Sequence, residues 1–128
     1  MKVLLDTHAF IWWVDQDHLL GAAAHAATTD PANDLLLSAA TIWKIAIKVG
    51  LGKLSLSMPY KQWMNRATVG VGVTVLPIAV EYADVQTTLP LYHRDPFDRM
   101  LIAEAQVENV PLISRDATFD QYGVSRLW

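Results

Sequence analysis

The sequence predicts an α/β protein in which a mainly parallel sheet is covered by helices on both faces. Short apolar segments such as "VLL" and "LLL" alternate along the chain with segments that have the apolar spacing of a helix. These short segments lack the polar alternation of a strand with one solvent-exposed face, so we expect them to be buried on both faces. No repeat or low-complexity stretch interrupts the pattern, which is typical of a layered α/β fold.

The predicted elements have recognisable faces and boundaries. In "TIWKIAIKVG", Ile42, Ile45 and Val49 fall on one helical face, and Gly50 ends the helix. In "DPFDRMLIAEAQVE", Pro96 suits the first helical turn. In chain order the segments are strand KVLLD, helices THAFIWWVDQ and HLLGAAAHAATTD, strand DLLLSAA, helices TIWKIAIKVG and PYKQWMNRAT, strand VTVLPI, helices AVEYADVQTTL and DPFDRMLIAEAQVE, and strands VPLIS and VSRLW.

Composition restricts the class of protein. A chain of 128 residues, 52% hydrophobic and 18% charged, is expected to form a single domain over residues 1–128. No apolar run approaches the ~18 residues of a membrane span, and Asp6 interrupts the first apolar run before it could serve as a signal-peptide core. We therefore expect a cytoplasmic protein without a membrane partner. Because cysteine is absent, any metal must be held by carboxylates or histidines.

Acidic and hydroxyl residues follow the predicted strands. Asp6 follows the first strand, Ser38 ends the second, and Ser114 and Asp116 follow the strand "VPLI". Ligands of open α/β sheets bind at the carboxyl ends of strands, so we expect these groups at one edge, with Asp98 joining from a helix start. Each acid alone is explained as a helix cap or turn residue. Together they repel unless a cation lies among them, and oxygen ligands of this kind favour Mg²⁺ or Mn²⁺.

Other catalytic classes lack their signatures. The four histidines, at positions 8, 18, 25 and 93, do not have the paired spacing of a zinc helix, so we interpret them as structural or surface residues. Neither a complete glycine-rich phosphate loop nor a G-x-S-x-G nucleophile elbow is present. The net charge of −3 predicts no broad basic surface, so a nucleic acid would be held locally.

Four segments, in order, resemble the successive motifs of the PIN-domain family, and within it those of VapC-like ribonuclease toxins. The segments are "LLDTHAFIWW", "LLLSAATIWKIAIKVGLGKL", "HRDPFDRMLIAEA" and "PLISRDATFDQYGV". The resemblance covers nearly the whole chain and implies a PIN-like three-layer α/β/α sandwich that hydrolyses phosphodiester bonds of single-stranded RNA with Mg²⁺ or Mn²⁺. It also implies a homodimer that is neutralised by a VapB-like antitoxin.

The resemblance assigns residues by motif. Asp6, Asp98 and Asp116 match the family's catalytic, metal-binding acids, where the ion would activate a water for attack on the phosphate. Supporting roles are expected for Asp95, Ser38 and Ser114. Arg94, Arg99 and Arg115 are possible phosphate contacts, with surface or structural ion pairs as the alternative.

One position departs from the family's pattern. Lys44 stands where the resemblance implies a glutamate, the family's second acid. A glutamate would pair favourably with Lys48 one turn later, whereas two lysines at this spacing repel. An ammonium in place of a carboxylate reverses the charge at that position, so we expect weak metal binding and little cleavage. The ammonium is expected to lie among the carboxylates in the place of the metal.

Two other classes stay open. The first is a catalytically inactive PIN-domain binding module that retains its dimer and antitoxin surfaces, with the acids left as helix caps. The second is a phospho-accepting receiver-like domain, which also gathers acids, a hydroxyl and a lysine at strand ends. The position of "HRDPFDR" in front of a helix counts against this second class.

Overall fold

The computed structural model describes residues 1–70 and 72–128, and these contain a five-stranded sheet in which each paired strand runs parallel to its neighbour. The order across the sheet is β3-β2-β1-β4-β5. The strands are β1 (Lys2–Leu5), β2 (Asp34–Ser38), β3 (Thr74–Leu76), β4 (Leu112–Ile113) and β5 (Arg126–Leu127). The predicted α/β class with a parallel sheet is confirmed.

The α-helices connect these strands on both faces of the sheet. A π-helical turn at Arg66–Gly70 continues the fourth helix, and 3-10 turns lie at Asp17–Leu19 and Ala117–Tyr122. The α-helices are α1 (Thr7–Asp15), α2 (Ala22–Thr29), α3 (Ala39–Gly50), α4 (Tyr60–Asn65), α5 (Val80–Val85) and α6 (Pro96–Glu108). Over the described ranges, each helix is too short or too polar to cross a membrane.

Alternate residues of the central strands point into two separate apolar clusters. On β1, Val3 and Leu5 pack with Phe10 of α1 in the first cluster. Leu4, between them, packs in the second cluster with Leu101 of α6. Successive side chains of a strand face opposite sides of the sheet, so each cluster occupies one face. The result is the three-layer α/β/α arrangement that the sequence predicts.

Helix α2 begins later than the sequence predicts because Gly21 separates it from the preceding 3-10 turn. A Cβ atom at Gly21 would lie 2.6 Å from the backbone carbon of Trp128, so only glycine fits this approach. The carbonyl of Trp128 accepts a hydrogen bond of 2.9 Å from the amide of Ala23, in the first turn of α2. A contact that is distant in sequence therefore sets where this helix starts.

The strand order reverses beside β1. Strands β2 and β3 lie on one side of β1, and strands β4 and β5 lie on the other. The carboxyl ends of β1 and β4 therefore border the crevice in which ligands of such sheets bind. Asp6 directly follows β1, and Ser114 directly follows β4.

Candidate active site

Asp6 joins the end of β1 to the start of α1. It is the N-cap of α1, and its carboxylate accepts a hydrogen bond of 2.7 Å from the amide of Ala9. Burial raises the pKa of Asp6 above its ordinary value, although a hydrogen bond from Ser114 opposes this effect. The Ser114 hydroxyl also accepts a hydrogen bond of 3.0 Å from the amide of Asp116. Ser114 thus connects the first and last acids of the predicted site.

The ring of His93 lies between the carboxylates of Asp98 and Asp116. The Nδ1 atom of His93 lies 3.7 Å from a carboxylate oxygen of Asp98. Its Nε2 atom lies 3.3 Å from a carboxylate oxygen of Asp116, without the geometry of a hydrogen bond. The ring packs on Phe119 with 4.6 Å between centroids, which holds it in place. The sequence interpretation of the histidines missed this placement, although His93 stands in the same charged segment as Asp98.

The acids influence one another's protonation. Burial raises the pKa of Asp98, and the charge of Lys44 lowers it. The charges of Asp95 and Asp6 raise it further. Asp116 acts in the same direction on the pKa of Asp6. The predicted acids therefore face a common region at the carboxyl edge of the sheet.

Lys44 of α3 points into the protein, toward the start of α6. Its side chain is buried, with 8% of the residue surface exposed, and its Nζ atom lies 3.0 Å from a carboxylate oxygen of Asp95. Asp95 is the N-cap of α6 and accepts a hydrogen bond of 2.8 Å from the amide of Phe97. Burial alone would raise the pKa of Asp95, but the hydrogen bonds from Lys44 and Phe97 hold it below its ordinary value. The ammonium therefore neutralises part of the acidic charge beside Asp98.

Ser38 contacts a different acid from those that the sequence predicts. Its hydroxyl caps α3 by accepting from the amide of Ala40 and donates to Glu104 at 2.5 Å. Glu104 is fully buried on α6, and its second carboxylate oxygen has no hydrogen-bond partner among the described residues. Burial raises the pKa of Glu104 to about 7. Sequence reasoning missed Glu104 because it stands in the helical segment "LIAEA" without a motif of its own.

The three arginines occupy different positions. Arg99 donates hydrogen bonds to the carbonyls of Leu89, Pro90 and His93, so its guanidinium holds the loop before α6. Arg99 thus has a structural role, which it fills through carbonyl groups rather than through an ion pair. Arg94 and Arg115 are exposed. Of the three, Arg115 lies beside the acids, in a cleft described next.

A cleft of about 510 Å³ opens at the ends of β1 and β4. We call it the acidic cleft; its lining residues are Asp6, His8, Trp12, Arg115, Asp116 and Ala117. Within residues 1–70 and 72–128, no three histidine or acidic side chains are grouped closely enough to hold a metal ion. Two basic side chains, Lys44 and His93, lie against Asp95, Asp98 and Asp116 instead. As arranged, the site does not fit a divalent cation.

The fold and this site define a class: an α/β protein with an acidic cleft where the strand order of a parallel sheet reverses. Within that class, the model of the PIN domain family matches residues 3–124. The chain therefore belongs to the PIN domain family, as the sequence motifs predict.

Relatives and solved structures agree with this assignment. Ribonuclease VapC22 of Mycobacterium tuberculosis is 28% identical over 119 residues, which span 89% of this chain and 86% of that protein. The structure of FitAcB from Neisseria gonorrhoeae is 18% identical, covers 97% of this chain and 95% of its own, and has a TM-score of 0.66. The VapBC-1 structure from nontypeable Haemophilus influenzae is 22% identical, with coverages of 98% and 96% and a TM-score of 0.65. These structures share the fold of this chain.

Proposed function

We propose that this chain is a VapC-like endoribonuclease toxin of the cytoplasm, a single PIN-like domain over residues 1–128, whose catalytic site is impaired by Lys44. The similarity to Ribonuclease VapC22 over 89% of the chain supports the ribonuclease class. The observation that carries the impairment is the buried ammonium of Lys44, 3.0 Å from Asp95 and beside Asp98. Its positive charge lowers the negative potential that would attract a cation.

The proposed roles of the acids follow from their positions. Asp6, Asp98 and Asp116 are the proposed ligands for Mg²⁺ or Mn²⁺ once an acid replaces Lys44. Asp95 and Ser114 support them, since Asp95 caps α6 and Ser114 hydrogen-bonds with Asp6 and Asp116. The reaction is hydrolysis of a phosphodiester bond in single-stranded RNA. In the chain as it stands, we expect this reaction to be slow or absent.

Cleavage of a fluorescent single-stranded RNA tests this proposal. The chain and its Lys44→Glu variant are compared in Mg²⁺, Mn²⁺ and EDTA. Lys48→Glu is the matched control because it makes the same charge change one turn later on α3. We expect only the Lys44→Glu variant to cut and EDTA to stop the reaction.

The other outcomes of this experiment have distinct meanings. If the chain and the Lys44→Glu variant cut equally well, Lys44 does not impair the site. If Lys48→Glu restores cleavage to the same extent, the effect is one of overall charge rather than of position. If neither the chain nor its Lys44→Glu variant cuts any RNA, the inactive binding module becomes the better description.

We also propose two protein partners, a VapB-like antitoxin and a second copy of this chain. The exposed apolar side of α3 supports the homodimer. Trp43 is 60% exposed and packs against Phe97 of α6. Ile47 and Leu51, four and eight residues later, are also exposed and lie on the same side of α3 and its C-cap. Contiguous exposed apolar surface of this kind is typical of protein interfaces. The similarity in fold to solved VapBC structures supports the antitoxin proposal.

Light scattering after size-exclusion chromatography tests the homodimer. Trp43→Glu places a charge in the apolar surface and is expected to give a monomer. Val69→Glu is the matched control because Val69 is also exposed and lies outside this surface. A dimer that persists in Trp43→Glu would exclude this surface as the interface.

A further inference from the structure

We propose that His8, Trp12 and Arg115 form a subsite that binds one nucleotide of single-stranded RNA beside the aspartates. The inference rests on the proposed ribonuclease function, and it names the residues that hold the substrate. Of Arg94, Arg99 and Arg115, Arg115 is the proposed phosphate contact.

The aromatic part of the subsite lies on one side of α1. His8 and Trp12 are four residues apart, so they are neighbours on the helix surface. Their ring centroids are 5.7 Å apart, and the planes are tilted by 45°. His8 is exposed, whereas Trp12 is half-buried and packs against Trp128 with 5.8 Å between centroids. The pair thus presents an aromatic surface whose inner ring is fixed, which suits stacking of an unpaired base.

The position of the pair relates it to the acids. His8 and Trp12 line the acidic cleft together with Asp6 and Asp116. They also line a second cleft of about 400 Å³ that extends along α1 to Leu54–Ser57. An RNA with its scissile phosphate at the aspartates can therefore place the adjoining base on the aromatic pair. The rest of the RNA can continue into the second cleft.

Arg115 is the proposed phosphate contact because the acidic cleft carries negative charge. A phosphate next to Asp6 and Asp116 is repelled unless a cation offsets their charge. Arg115 is the arginine among the lining residues of the acidic cleft, and its side chain is exposed. The guanidinium of Arg99 is already bound to three loop carbonyls. A guanidinium also matches the geometry of phosphate oxygens.

RNA binding by the chain as it stands, measured in EDTA, is the first test. Fluorescence anisotropy of a labelled single-stranded RNA gives the Kd for His8→Ala and Arg115→Ala. The matched controls are His25→Ala and Arg66→Ala, which remove the same residue types from exposed positions elsewhere. We expect each site variant to raise the Kd by about five- to tenfold and the controls to leave it unchanged. His8→Phe keeps an aromatic ring and is expected to retain most of the affinity.

The second test uses the Lys44→Glu background. There, His8→Ala and Arg115→Ala are expected to raise KM by a similar factor and to leave kcat within about twofold, because they remove substrate binding rather than chemistry. If Lys44→Glu fails to cleave but RNA binding still depends on His8 and Arg115, the nuclease proposal fails and the subsite stands.

Three results would overturn the subsite. The first is an unmeasurable affinity of the chain for single-stranded RNA, and the second is a Kd that the site variants do not change. The third is weaker binding of a VapB-like antitoxin by these variants with unchanged RNA binding. In that case the surface binds protein rather than RNA.

Discussion

Asp6 and Asp95 occupy the same local position in the fold and have opposite electrostatic surroundings. Each is the N-cap of a helix and accepts a backbone amide hydrogen, from Ala9 and Phe97 respectively. Burial raises the pKa of Asp6, whereas the pKa of Asp95 is lowered by hydrogen bonds that include one from Lys44. The local sequence thus determines the capping role. The local amides favour the charged carboxylate in both cases, so the difference comes from burial at Asp6 and from the distant Lys44 at Asp95.

A large change in stability is expected from removing the Lys44 ammonium beside Asp95. Lys44→Glu is expected to create a site that binds Mn²⁺, and a ligand at 100 times its Kd stabilises a fold by about 2.7 kcal/mol. The Tm of this variant should therefore rise with Mn²⁺, while the Tm of the unmodified chain should not. Thermal unfolding with and without Mn²⁺ measures both, with Lys48→Glu as the control. An equal rise in all three proteins would show that Lys44 does not control the site.

Glu104 is a third acid for this comparison; it is fully buried and forms no ion pair with residues 1–70 or 72–128. Its pKa is raised from the ordinary 4.5 to about 7, so the folded state holds a proton that the unfolded state releases. The stability that Glu104 contributes is therefore complete below pH 4.5 and is lost as the pH rises through about 7. The loss amounts to roughly 3 kcal/mol.

Glu104→Gln is expected to remove that dependence, because glutamine keeps the partner for Ser38 without a titrating group. Urea unfolding at pH 4.5, 6 and 8 compares the two proteins. The free energy of unfolding of the unmodified chain should fall relative to that of the variant as the pH rises. Parallel pH profiles would mean that Glu104 is not protonated in the folded protein.

Asp6→Asn is expected to stabilise the protein at pH 7 by about 1 kcal/mol, because it removes a buried charge and keeps the acceptor for the amide of Ala9. The folded pKa of Asp6 is raised, so its ionisation opposes folding above the ordinary value of 3.8. The advantage of the variant should therefore grow as the pH rises from that value. Chemical denaturation at pH 3.5 and 7 tests this prediction, and a less stable variant at pH 7 would contradict it.

Asp95→Asn is expected to change the free energy of unfolding least. It should destabilise the protein, whereas Asp6→Asn should stabilise it. The Asp95 side chain is 36% exposed, so solvent weakens its pairing with Lys44, and we expect a loss of about 0.5 kcal/mol at pH 7. Its folded pKa is lowered, so its contribution is present above pH 3.8 and is lost as the pH falls through the folded pKa. Denaturation at low and high salt checks the result. Stabilisation by Asp95→Asn would overturn the contrast with Asp6.

Much of the fold could be predicted because its signals are local. The short apolar runs predict β1 and β2 closely, and Pro96 marks the start of α6. The start of α2 could not be predicted, because it depends on the approach of Gly21 to Trp128. Strand β3 is also shorter than the segment "VTVLPI" indicates, since it ends at Leu76 before a proline.

The candidate site could be predicted in part for the same reason. Acids that follow strands can be recognised from the sequence, and their predicted catalytic roles stay a prediction. The bond between Ser38 and Glu104 joins residues 66 positions apart, so no local pattern announces it. The place of His93 between Asp98 and Asp116 likewise depends on how the loop before α6 folds back against Phe119.

The contact of Trp128 with α2 has a consequence for how the chain folds. The first-turn amides of Ala23 and Ala24 both lie within hydrogen-bond distance of the Trp128 carbonyl. An isolated helix of eight residues is unstable in water, so α2 depends on this support. The support comes from a residue roughly 100 positions later, which places the completion of α2 late in folding. In pulse-labelling hydrogen exchange, α2 is therefore expected to become protected together with β5, after the central strands.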